Sequence, residues 1–323
     1  MWVFQQNWLI NKPAGGFFFI ISLRTFVYML KPGIILPPHP QKDLLGQLSD
    51  KGQLHWYVSD NHKTPNLSTS AHVSIYESSI IPLISDVLFV LNPEFCQFEY
   101  LTSAIRNSCH LFIDTIDKLT ERHQKLLIEL AHEAGTQIAV RADRLYTPLA
   151  ENLTQHNKHP RIVKGEHASS GFQGELFSNI TDFIRILLKI NQSEITETTV
   201  AGGNFLSTKT DFIDVHLNFA DGMVASLAFS GLPSNDSSLL NIYRTGSVMR
   251  ADFLTHKLTL EPKNQTLTFN ETDSCENLIR QMNGFLQSIE TKEFSVHTLE
   301  EEREVFQLVN RIKEQLKVKS ISI

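Results

Sequence analysis

Short unbroken apolar runs, each closed by a turn residue, shape the first half of the chain. Val87-Leu88-Phe89-Val90-Leu91 stops at Asn92-Pro93. Apolar Phe98, Leu101, Thr102 and Ile105 then recur at helical spacing, and a second run, His110-Leu111-Phe112-Ile113, ends at Asp114. Two buried-type strands joined by a crossover helix make a parallel βαβ unit. Upstream, Gly33-Ile34-Ile35-Leu36 reads as strand one and Lys42 to Leu48 as the helix after it. Leu54 to Ser59 reads as strand two, ending at Asp60, and polar residues 61–70 read as a loop. A further helix closes at His132-Glu133-Ala134-Gly135. The pattern predicts an α/β fold with a doubly wound parallel sheet up to about Pro148.

The pattern then changes. Residues 151–167, rich in His, Asn and Lys, read as a linker. Between Glu175 and Lys189 a helical stripe carries Leu176, Ile180, Phe183, Ile184 and Leu187. Strands are expected at Glu197 to Ala201, Asp211 to Phe219, Met223 to Phe229, Leu239 to Tyr243 and Lys257 to Glu261. Ala220-Asp221-Gly222 has the chemistry of a tight hairpin turn. Cys275 to Ile289 reads as a helix; Thr298 with Glu301 reads as a capping box opening the last helix, to about Lys317. A run of strands after one helix predicts a C-terminal α+β domain with an open, mainly antiparallel sheet.

Composition narrows the classes of partner. At 323 residues, two domains with real cores are expected: 29–148 and 149–323. The formal net charge of −6 supplies no basic footprint for nucleic acid. Cys96, Cys109 and Cys275 lack metal-type spacing and suit reduced thiols, so a cytoplasmic protein without a bound metal is expected. The run Gly15 to Leu23 is far shorter than the ~20 residues that span a bilayer. Residues 1–28 are read as an upstream extension or a misassigned start, with a secretory signal as the alternative.

The residues from Asp86 to Pro148 also resemble a known family. Asp86, the Asn92-Pro93 turn and His110-Leu111-Phe112-Ile113-Asp114 line up with its D-A-V-I-I-A-T-P and A-G-K-H-V-F-V-E-K-P. His132-Glu133-Ala134-Gly135 is similar to its A-E-E-A-G, and Arg144, Tyr146 and Pro148 to its R-x-F-x-P. Weaker similarity extends over nearly all of the chain from about Met29. On these motifs the chain resembles the Gfo/Idh/MocA oxidoreductases (glucose–fructose oxidoreductase and inositol dehydrogenase among them). The resemblance implies a Rossmann-like nucleotide domain, an NAD(P) cofactor, and oligomers built through the C-terminal sheet.

The residues that carry the family's chemistry are changed. A G-x-G-x-x-G turn lets the backbone approach a pyrophosphate at a helix N-terminus. The corresponding Leu36-Pro37-Pro38-His39-Pro40-Gln41 has no glycine and three fewer backbone donors. The E-K-P motif becomes Asp114-Thr115-Ile116, so threonine stands where the family's lysine would contact nicotinamide ribose and substrate. The family's acid and histidine on the helix entering the second domain fall at Glu175 and Asn179, and asparagine cannot titrate. A G-H pattern is replaced by Arg141-Ala142. Asp60, Asn92, Pro93 and Asp114 remain as candidate cofactor contacts, and Thr115, Glu175 and Asn179 as degenerate catalytic positions.

Three readings follow. The leading one is a degenerate member, a pseudoenzyme that serves as a binding or assembly protein, with dinucleotide binding weak or absent. The second is a working NAD(P)-dependent oxidoreductase on a sugar or cyclitol-like substrate, using Asp60, Asn92, Asp114 and Glu175. The third is a non-redox enzyme with Glu175 and Asp114 as paired carboxylates.

Overall fold

The computed structural model describes residues 30–37, 44, 55–59, 73–156, 160–169, 176–204, 210–232, 235–270, 273–291 and 296–320. The expected helix at 42–48 (apart from Leu44), the loop at 61–70 and residues 1–28 lie outside them.

Among the described residues the first half builds a six-stranded sheet. Its strands are β1 (Pro32–Ile35), β2 (Trp56–Ser59), β3 (Val73–Tyr76), β4 (Val87–Val90), β5 (His110–Ile113) and β6 (Ile138–Val140). They lie in the order β3-β2-β1-β4-β5-β6, with every pairing parallel. Every residue of β1 and β4 is buried, because a parallel sheet covered on both faces leaves its strands no wet side. One face is covered by the short α1 (Ile81–Ile84), α2 (Phe98–Arg106) and α3 (Glu121–Ala134). There Leu101, Ala104, Ile105 and Leu127 pack on Ile35, Leu88, Val90, Leu111 and Ile113. Helix α3 starts on the Thr120 hydroxyl and stops at Gly135, whose φ of 68° is the left-handed conformation of a helix C-terminus.

After β6 come α4 (Pro148–His156), β7 (Ile162–Ala168), α5 (Leu176–Ile190) and β8 (Ile195–Gly203). Strands β9 (Phe212–Phe219), β10 (Val224–Ser230), β11 (Ser237–Arg244), β12 (Ser247–Asp252), β13 (Lys257–Glu261) and β14 (Gln265–Thr268) follow. The chain ends with α6 (Ser274–Thr291) and α7 (Leu299–Ser320). The second sheet has the order β14-β13-β12-β11-β7-β10-β9-β8, antiparallel except for the parallel pair β7 and β10. Helices α5 and α7 cover one face, with Phe183, Ile184, Leu187, Leu308 and Ile312 buried against Val163, Val215, Leu227 and Ile242. Helix α6 returns to the first sheet, where Leu278, Met282 and Phe285 seal its second face over Ile34, Phe89 and Phe112.

The expected linker at 151–167 is instead the end of α4 and most of β7, an interior strand of the second sheet. Its inward positions are Val163, Gly165 and His167. Only one of these is a large hydrophobe, so the alternation does not declare itself. Gly165 is required by close packing: a Cβ there would stand 2.6 Å from Leu227 Cδ2 and 3.0 Å from Phe183 Cδ1. Strands β3, β12 and β14 were also not foreseen, being short and half-exposed along most of their length, nor was the three-residue β6.

The open face of the second sheet, through which the resemblance implies oligomers, is polar along β9. On β9 it presents Asp214, His216 and Asn218, with His216 3.2 Å from Asp214 and Asn218 bonded to Glu197 at 2.7 Å. An apolar row instead crosses four strands through Val224, Ile162, Tyr243 and Val248, which are register neighbours. Among the described residues, no helix is long and apolar enough to cross a membrane.

Gly165→Val should destabilise the protein by about 1–3 kcal/mol through overpacking between β10 and α5. Urea unfolding measures this; a variant as stable as the parent would show that the helix is not seated as described.

Candidate functional site

Ligands of doubly wound sheets bind beyond the C-terminal ends of the strands, because there the loops diverge and leave a crevice. Here that edge is formed by Leu36-Pro37 after β1, Asn92-Pro93 after β4, Asp114-Thr115 after β5 and Arg141 after β6. Two of the candidates are engaged in local turns. Buried Asn92 accepts from the Glu94 N–H through Oδ1 at 3.0 Å and so opens the 3-10 turn Pro93–Phe95. The Thr115 hydroxyl accepts from the Asp117 N–H at 3.1 Å and fixes the turn after β5. Asp60 and Glu175 lie outside the described residues.

Arg141 is the organising side chain. Strand β6 runs beside β5 with Val140 opposite Ile113, and the Arg141 N–H donates to the Ile113 carbonyl at 2.9 Å. That register places Arg141 next to Asp114. Its Nη1 donates to Asp114 Oδ1 at 2.8 Å, while Nε and Nη2 grip Asp143 at 2.8 and 2.6 Å. Nη2 also reaches the Ser274 hydroxyl at 3.4 Å. Gln281, buried on α6, accepts from the Ala142 N–H at 2.9 Å and donates to Asp143 Oδ1 at 2.9 Å. The turn that carries the guanidinium is thereby pinned from the opposite layer.

One cation between two carboxylates leaves a net charge of −1 when all three are ionised. Burial pushes the Asp114 carboxyl above its ordinary range, and the bond to Arg141 offsets only part of that. Burial opposes the charge on Arg141, yet the bonds to Asp143 and Asp114 raise its pKa and hold it protonated.

The other landmark lies at the start of α5. Asn179 is half-buried in its first turns. One turn on, Asp182 stands 3.7 Å from Arg144 Nε and 3.1 Å from Arg185 Nη1. The Arg144 guanidinium lies 5.6 and 5.4 Å from the ring centroids of Phe183 and Phe253. Arg144 and Tyr146 of the R-x-F-x-P-like segment are therefore framework residues, with the Tyr146 phenol pushed up in pKa by burial. Asp143, Ser274 and Gln281 were not singled out from sequence. Arg141 meets Asp114 through the parallel register of β5 and β6, which no local sequence pattern carries. Among the described residues, no group of His, Cys, Asp or Glu is arranged to hold a metal ion.

Solved structures share this architecture. UDP-N-acetylglucosamine 3-dehydrogenase GnnA from Acidithiobacillus ferrooxidans superposes with a TM-score of 0.73 at 16% identity, covering 90% of this chain and 99% of that one. A dehydrogenase (MviM) from Clostridium difficile gives 0.70 at 15% identity, covering 89% and 99%. An NAD binding oxidoreductase from Klebsiella pneumoniae gives 0.71 at 11% identity, covering 90% and 97%. The fold is thus the two-domain fold of Gfo/Idh/MocA-type dehydrogenases. No protein-family model and no curated protein matches the sequence itself.

Proposed function

We propose that the chain is a catalytically degenerate relative of the NAD(P)-dependent Gfo/Idh/MocA oxidoreductases, retained as a binding or assembly protein. One observation carries this reading: the Asp114 carboxylate is tied to Arg141 rather than flanked by a lysine. In the lysine position, Thr115 is engaged in holding a turn. A proton relay beside a nicotinamide needs a group free to exchange its proton, and the family's lysine and histidine positions are here Thr115 and Asn179. A guanidinium does not deprotonate in proteins, and this one is already held by two carboxylates. The −1 charge of the trio also opposes the phosphates of a dinucleotide, so these residues do not fit a tightly held NAD(P).

The runner-up, an oxidoreductase on a sugar or cyclitol-like substrate, is favoured by the raised pKa of Asp114, which suits a carboxylate that accepts a hydroxyl proton. Titrating the full-length protein with NADH and NADPH and following nicotinamide fluorescence separates the two. The leading reading expects no saturable signal up to about millimolar cofactor, roughly 4 kcal/mol of binding at most. Micromolar saturation would reject it in favour of the oxidoreductase.

The same reading has the chain assemble into a homo-oligomer through the open sheet face. The row Val224, Ile162, Tyr243 and Val248 supplies the apolar contact, with Val224 and Ile162 41% and 44% exposed. Light scattering should give a multiple of the 36.7 kDa chain that Ile162→Asp reduces to a monomer. A monomeric parent would remove this part of the proposal.

A further inference from the structure

We propose that His297 is a pH-sensitive clasp fastening the cover helix of the second sheet to the edge of the first. The residue sits where the chain passes from one layer to the other. Its carbonyl accepts from the Val140 N–H at 2.9 Å, and Thr298 forms a bridge with Ala139, so this segment extends the β6 edge. Thr298 then caps α7, its hydroxyl accepting from the Glu301 N–H at 3.3 Å while Glu301 accepts from the Thr298 N–H at 3.0 Å.

The imidazole is 3% exposed and lies between two carboxylates. Nε2 is 2.7 Å from Glu302 Oε2. Nδ1 is 3.2 Å from Glu301 Oε2, an ion-pair contact off the hydrogen-bond axis. A carboxylate only accepts, and a neutral imidazole carries a single donor. With a carboxylate against each nitrogen, only the imidazolium carries a proton toward both. Each carboxylate is also tied to α5: Arg185 grips Glu302 at 2.8 and 2.6 Å, and Lys189 binds Glu301 at 2.8 Å. The other ionisable groups at hand are Asp182, which shares Arg185, the buried phenol of Tyr146, and Glu304. A cavity of about 240 Å³, lined in part by Arg185, Lys189, Asn191, His297 and Glu304, opens the cluster to exchange with solvent.

The two carboxylates raise the His297 pKa above 6.5 although burial acts against the charge. They themselves stay ionised in acid: despite burial, the contact with His297 and the bond to Lys189 bring Glu301 down to about 2, and the bonds to His297 and Arg185 lower Glu302. A raised histidine pKa means stabilisation fully present below the unfolded value and lost as pH rises through the folded one. The clasp is therefore closed in mild acid and opens on the alkaline side. Val140 precedes Arg141, so opening frees the strand end that carries the candidate site.

Hydrogen–deuterium exchange of the full chain from about pH 6 to pH 9, corrected for intrinsic exchange, tests the clasp. Protection of the Val140 and Glu302 amides should fall by up to about ten-fold per pH unit above the folded pKa, the limit for one linked proton. Amides in β10 should hold their protection, and His297→Gln should start at the unclasped level and lose the pH dependence. Flat wild-type protection at Val140 and Glu302, or the same alkaline loss in His297→Gln, would overturn the proposal. The wild-type series alone decides if the variant does not fold.

Discussion

One guanidinium held between two carboxylates sets the edge on which the candidate site is built. Asp114 and Asp143 come from the ends of β5 and β6, and Arg141 is the cation that lets both turns sit in a partly dry crevice. A fork with five donors in one plane can serve both carboxylates at once, which an ammonium could not do with the same geometry. Removing one member of such a cluster leaves the others desolvated and unpaired, so the three behave as a unit. Gln281 extends the unit to α6, and α6 in turn supplies Met282 and Phe285 to the core beneath the sheet. The position of the polar edge and the packing of the apolar layer are thus fixed by the same helix.

From that edge, charges continue onto the helices that cover the second sheet. Arg144 follows Asp143 and faces Asp182; Asp182 meets Arg185; Arg185 binds Glu302; and Glu302 meets His297, whose carbonyl returns to Val140. The series begins just past the end of β6 and returns to it. Such networks are costly to desolvate, and they specify one arrangement more than they add net stability. Here they specify how α5 and α7 meet the parallel sheet.

Strands β1, β4 and β5 were legible because they are unbroken apolar runs, and α3, α5 and α7 because their apolar stripes or caps are well marked. Strand β7 was not legible: Gly165 and His167 fill inward positions, and its neighbours in the sheet come from distant segments. Of the site, Asn92, Asp114 and Thr115 could be placed at strand ends from sequence, but what they bind could not. The tie between Asp114 and Arg141 spans 27 residues and rests on register, which a local pattern does not carry. The Gln281 contacts span 138 and 139 residues and follow from the return of α6.

A double-mutant cycle on Arg141 and Asp114 reaches the central claim most directly. Unfolding free energies are measured for Arg141→Met, Asp114→Asn, the double variant and the parent. Side chains that form one network should be coupled by about 0.5–3 kcal/mol, with the double variant less destabilised than the sum of the singles. Additive effects would mean that the two groups do not form the tie on which this account of the sheet edge depends.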